Sequence, residues 1–210
     1  MDQLDLNNAP NRILYLSGNV EDNTISDVCK QILTINAFDN TMTFKYRQYE
    51  LQPIQLHIQS FGGSIYDMWS LIDIIESSDT PVITYCSGYC MSAASLIFLA
   101  GHYRYMYKHS SVMFHQMSVG NFGKINDLNL DQKHFNDMHK DIVKYIKKHT
   151  KLGKKFFKKF DLNKEDVYLS AKDCIKFGVC DKIADVKDNR SLMKTLMTKE
   201  SVEQVLDYEE

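Results

Sequence analysis

The chain has 210 residues, 44% of them hydrophobic and 25% charged, with a formal net charge of -2. That length supports one sizeable core, and a charge balance so near neutral gives no electrostatic reason to expect nucleic acid or a membrane as partner. The start, MDQLDLNNAPNR, has no apolar run behind a basic flank and so does not read as a signal peptide; the run SAASLIFLAG is too short to span a bilayer.

Five cysteines (Cys29, Cys86, Cys90, Cys174 and Cys180) form no C-x-x-C pair. They read as reduced thiols of a cytoplasmic protein. Richness in Lys, Asn, Ile, Tyr and Phe hints at an AT-rich genome, which makes that compartment a host cytoplasm for a phage or virus, or a plastid. No repeat or Pro/Gly-rich linker divides the chain. It reads as a polar leader (1–11), one domain (12–188) and an amphipathic tail (189–210).

In chain order, RILYLS (12–17) predicts a strand ending at Gly18. Asn23 or Thr24 then caps a helix carrying Ile25, Val28, Cys29, Ile32 and Leu33 on one face. The segment DNTMTFKYRQYEL, at 39–52, alternates and predicts a hairpin. IQLHIQ (54–59) predicts a strand with Ile54, Leu56 and Ile58 on one face and His57 on the other. After SFGGS, Ser64 caps a helix burying Ile65, Met68, Trp69, Ile72 and Ile75. Pro81 opens the strand VITYCS, and Ser92 heads the helix that follows. YRYMY and SVMFHQ are short strands; 126–150 is a long helix with Leu128, Phe135, Met138, Ile142 and Ile146 inward. A strand at 167–169, a helix SAKDCIKF closed by Gly178, a strand KIADV and a tail helix over 191–208 complete the pattern. Strand, glycine turn, helix, repeated, is the grammar of a βαβ-built α/β fold, in which functional groups collect at the carboxyl ends of the strands.

Ser92 stands at such an end. A serine at a first helical turn lies near unpaired backbone N–H groups, as a nucleophile and its oxyanion require; taken alone, a serine in a small-residue run is more often a packing residue. G-x-C-M-S is not the G-x-S-x-G elbow of the α/β-hydrolases. Of seven histidines, His134, His139 and His149 lie among charges on a polar helix and read as solvated. His115, at the end of VMF, is the best base, with a structural role as its alternative. Asp166, just ahead of a short strand, is either the acid that orients the imidazole or an exposed turn residue. The two glycines of FGGS can aim backbone N–H groups at an oxyanion. Nothing has metal-ligand spacing, and no cofactor is implied.

As a set, QSFGGSIYDMWSLIDII, GYCMSAASLIFLAG, SVMFHQ and EDVYLSAKDCIKFGVCDKI resemble the Clp protease proteolytic-subunit family, from about Arg12 to Val186. That family pairs N-S-P-G-G with G-x-A-A-S, V-M-I-H-Q, D-x-F-L-S-A and Y-G-L-V/I-D. The resemblance implies a crotonase-like spiral of βαβ units with a protruding handle helix, here 126–150. It also implies a serine endopeptidase that cleaves unfolded proteins and peptides inside two stacked heptameric rings. Ser92, His115 and Asp166 become nucleophile, general base and orienting acid; the N–H groups of Gly63 and Ala93 become the oxyanion hole. Val119, Gly120, Phe122 and Gly123 fall on the Gly-rich strand that pairs with substrate backbone.

The departures are specific. Phe61 replaces a proline, and Cys90 and Met91 replace two alanines. Lys164-Glu165 reverses a Glu-Arg pair that bridges rings, so rings are expected to pair with themselves and not with a typical relative. The leader is short for the pore loops that help dock a hexameric Clp-type ATPase, which leaves that partnership open. Other readings are a catalytically silent ring subunit, a crotonase-superfamily acyl-CoA enzyme, and a nucleic-acid binder using the lysines between Lys140 and Lys159. Against the last, such a stripe is commonly a solvated helix face.

Overall fold

The computed structural model describes residues 9–118, 120 and 124–184. The expected tail helix and nearly all of the leader lie outside them. Among the described residues, seven strands form one sheet: β1 (Ile13–Val20), β2 (Ile54–Gly63), β3 (Val82–Met91), β4 (Tyr103–Tyr107), β5 (Ser111–Phe114), β6 (Val167–Ser170) and β7 (Lys182–Ala184). The order β1-β2-β3-β4-β7 is parallel throughout. The far half of β3 leaves β4 and pairs with β5, which pairs antiparallel with β6. Helices α1 (Asp22–Lys45), α2 (Ile65–Glu76) and α3 (Ala93–Leu99) form the crossovers that parallel neighbours require. The βαβ expectation is borne out.

Alternation sorts the two faces of the sheet. Leu14, Leu16, Ile54, Leu56 and Ile58 are buried in one core with Ile25, Val28 and Ile32 of α1 and Met68, Leu71, Ile72 and Ile75 of α2. Each such side chain contributes about 1.5–3 kcal/mol on leaving water. As expected, His57 takes the opposite face. Its ring lies between Tyr15 and Tyr85, with Tyr105 stacked beyond, one ring on each of four neighbouring strands.

Ser64 caps α2 as anticipated, accepting from Asp67 N at 3.3 Å. The cap of α1 is instead Glu21, in a capping box with Thr24 at its third position. The hairpin expected at 39–52 is not formed: α1 runs on to Lys45, and irregular chain follows to Pro53. The buried positions Ile25, Val28, Ile32, Ile35, Asp39 and Met42 form one helical stripe. A charged residue inside that stripe disguises its period.

Asp39 is 1% exposed and is held from three sides. Arg12 donates to it at 2.9 Å through Nη1, Thr80 at 2.6 Å, and Tyr49 through its hydroxyl. Burial alone would raise its pKa; the hydrogen bonds from Arg12, Thr80 and Tyr49 outweigh that and hold it below the usual carboxylate range. The network ties the far end of α1 to the start of β1 and to the turn before β3.

The long helix α4 (Ile125–His149) forms where expected; Ile142 and Ile146 are buried as anticipated, with Val143 and Tyr145 beside them, whereas Phe135 and Met138 are only half-buried and the side chain of Leu128 lies outside those described. Among the described side chains of α4, full burial is confined to its second half, while in the first half His134 meets Tyr66 of α2. A short helix α5 (Lys154–Phe157) and a π-helical turn (Lys158–Leu162) follow, then α6 (Ala171–Lys176). In this stretch Phe156 and Phe160 face the core while lysines cover the outside.

Candidate active site

Three adjacent strands each deliver one member of the candidate triad. Ser92 follows the last residue of β3, His115 the last of β5, and Asp166 precedes the first of β6. The antiparallel register of β5 and β6 runs Ser111↔Ser170 to Phe114↔Val167. One further step along it sets His115 opposite Asp166. The pairing Met91↔Met113 brings the end of β3 alongside β5, and Ser92 N donates to Met113 O at 2.9 Å.

Ser92 has φ 54° and ψ -127°, a backbone conformation that a non-glycine residue holds only where its surroundings enforce it. Its carbonyl accepts from Ser95 N and from Ser95 Oγ, the latter at 2.6 Å. With both backbone groups engaged, the hydroxyl is left for the site: Ser92 Oγ and His115 Nε2 lie 2.7 Å apart. For Nε2 to accept from the serine, the imidazole proton must sit on Nδ1, the nitrogen facing Asp166. That third link is looser: Nδ1 and Asp166 Oδ1 are 3.9 Å apart, and the carboxylate is 55% exposed. This is ion-pair range and beyond a hydrogen bond.

Gly62 and Gly63 have separate jobs. A Cβ on Gly62 would lie 2.7 Å from Met91 O and from Ser92 Cβ, so this glycine admits the serine turn itself. A Cβ on Gly63 would lie 2.3 Å from Val20 O, in β1. Both have positive φ, 99° and 153°. Gly63 and Ala93 border the same cavity as Ser92 and His115. Its volume is about 300 Å³, and Met68, Leu96, Met113, Met117 and Ile142 give it an apolar wall. The arrangement is chemically suited to acyl transfer: a hydroxyl within hydrogen-bond reach of an imidazole, the backbone of Gly63 and Ala93 on the same cavity, and room for one apolar side chain.

Among the expected substrate-binding residues, Val119, Phe122 and Gly123 lie outside the described residues, and Gly120 is exposed in irregular chain. Two expectations for histidines need correcting. His139 is not solvated: its Nε2 meets Asp161 Oδ1 at 2.8 Å and its ring stacks on Phe160. His149 packs on Tyr145 and lies 3.4 Å from Glu76. Both sit where α4 turns its polar-looking face onto the π-turn and α2. His134 does remain exposed, hydrogen-bonded to Tyr66. Cys90 is fully buried, with Sγ toward Ile58 O and its thiol pKa pushed well up by burial, so it is no competing nucleophile. The contribution of Gly62 was not separable in sequence from that of Gly63. Met68 and Ile142 were read only as core; nothing in their spacing distinguishes a cavity wall from an interior.

Fold and site together define the class: a crotonase-like α/β spiral with its candidate centre at the carboxyl ends of β2, β3 and β5 and the amino end of the antiparallel β6, as in peptidases of the Clp type. The chain belongs to the Clp protease family, whose model matches residues 5–187. It is 28% identical over 182 residues to an ATP-dependent Clp protease proteolytic subunit of Deinococcus radiodurans, covering 85% of this chain and 83% of that one. A protein of the same description from Bacteroides fragilis is 26% identical over 174 residues, 82% and 78% of the two chains.

Proposed function

We propose that this chain is a serine endopeptidase, the proteolytic subunit of a ring-shaped Clp-type assembly, working through Ser92, His115 and Asp166. The observation that carries the reading is the 2.7 Å contact between Ser92 Oγ and His115 Nε2. His115 takes the hydroxyl proton as Ser92 attacks a peptide carbonyl. The imidazolium so formed is stabilised by Asp166, and the oxyanion by the N–H groups of Gly63 and Ala93. His115 then hands the proton to the leaving amine, and water hydrolyses the acyl-enzyme by the same route reversed. The apolar cavity beside Ser92 takes a substrate side chain of leucine or methionine size.

Stacked rings and a hexameric ATPase partner belong to this proposal through family membership; the relatives above are described as ATP-dependent subunits. The test is hydrolysis of fluorogenic peptides carrying leucine before the reporter. Ser92→Ala is expected to lower kcat by roughly 10⁵–10⁶, and Asp166→Asn by about 10²–10⁴. Undiminished hydrolysis in Ser92→Ala would end the reading.

A further inference from the structure

We infer that Phe61, stacked on Tyr89, forms a second substrate subsite at the rim of the cleft, one that selects an aromatic side chain beside the residue filling the apolar cavity. This deepens the peptidase reading and rests on it. Phe61 is 64% exposed, a large apolar ring open to solvent. Exposure by itself says little, since Phe44 and Leu162 are exposed as well. What sets Phe61 apart is where it is exposed: it borders the same cavity as Ser92, His115 and Gly63.

Its position is also fixed. The Phe61 and Tyr89 rings stack at 4.3 Å between centroids and 28° between planes, joining β2 to β3. Tyr89 lies three residues before Ser92 on the same strand, and Phe61 borders the cavity that Ser92 lines. The chain directly after Phe61 cannot drift, because Gly62 is wedged against Met91 O and Ser92 Cβ. The stack occupies one face of the Phe61 ring and leaves the other open. Two residues along an extended strand span about 7 Å, so the open face lies within one substrate residue of a carbonyl held at Gly63. Successive side chains of an extended peptide point to opposite sides. When one enters the cavity, its neighbour passes the rim. A rigid aromatic pair there offers an offset-stacked or edge-on contact at little entropic cost.

The test reads binding and cleavage separately. Fluorescein-labelled octapeptides carry one leucine for the cavity and either phenylalanine or alanine at the position on each side of it. Polarisation measures their Kd for full-length Ser92→Ala protein, and kcat/KM is measured with intact Ser92. At one of the two positions, phenylalanine is expected to bind roughly two- to tenfold more tightly than alanine. That ratio should fall toward one in Phe61→Ala and in Tyr89→Leu, and be retained in Phe61→Tyr. A ratio of one in the parent, or a ratio unchanged in both Phe61→Ala and Tyr89→Leu, overturns the subsite. Phe61-dependent binding with no cleavage by the intact protein would keep the subsite and remove the peptidase reading. Cleavage without Phe61 dependence would do the reverse.

Discussion

Ser92 holds a φ of 54° because four things around it agree. Its N–H is taken by Met113 O, its carbonyl by Ser95, Gly62 leaves room at its Cβ, and α3 begins directly after it. The strain is offset by these contacts and presents the hydroxyl to His115. Gly62 is the most sensitive element of the set. In Gly62→Ala the new Cβ would meet Met91 O at 2.7 Å, and the backbone would have to keep φ 99°. Both effects are destabilising, together by about 2–4 kcal/mol, and peptide hydrolysis should be lost with them. Denaturant titration and turnover, measured side by side, check this. Much of the residue scale was legible beforehand. Ser92 heads a small-residue run after a glycine turn and His115 ends the run VMF, so both were candidates, each with a structural alternative that only the set of motifs set aside. Asp166 had no comparable signal, because its place opposite His115 follows from the register of β5 and β6, which appears only when the strands pair.

At the scale of elements, two polar groups inside apolar patterns show where sequence periodicity succeeded and where it broke. His57 was assigned to the correct face because strict alternation of Ile54, Leu56 and Ile58 leaves no choice. Burial between Tyr15 and Tyr85 lowers its pKa. The sign follows: the unfolded chain binds a proton first, near pH 6.5, so the stability tied to neutral His57 is complete above that value. It is lost as pH falls toward the depressed folded pKa. His57→Phe keeps a ring in the stack and should flatten the fall in Tm between pH 7 and pH 5; an unchanged pH dependence would contradict this.

Asp39 is the converse case. A carboxylate in the stripe of α1 made a long helix look like a helix followed by a hairpin. Only the folded chain brings Arg12, Tyr49 and Thr80 to it from distant parts of the sequence. Asp39→Ala leaves the largely buried Arg12 guanidinium without its counter-charge and should cost about 3–5 kcal/mol, read by urea unfolding at pH 7. His139 failed for a related reason: its neighbours in sequence are charged, but its neighbour in space is the Phe160 ring.

For the whole molecule, the spiral sheet and its crossovers were readable from the order of strands, glycine turns and helices. The π-turn at 158–162 was not, since a lysine-rich surface hides Phe156 and Phe160 beneath it. That turn matters to the site. Glu165 is tied back to it through Lys159 O and the Lys159 side chain, so the residue before Asp166 moves with the turn. The turn in turn is joined to the handle α4 by His139 and Asp161. Helix α4 is therefore linked, through the π-turn, to the carboxylate that stands 3.9 Å from His115.

The central claim is that Ser92 is an activated nucleophile, and a fluorophosphonate tests it without knowledge of the substrate. The measurement is intact mass of the full-length protein after exposure to the reagent, wild type beside Ser92→Ala. One adduct per chain in the wild type and none in Ser92→Ala is the expected result. An adduct that persists in Ser92→Ala, or a folded wild type that takes none, would contradict it.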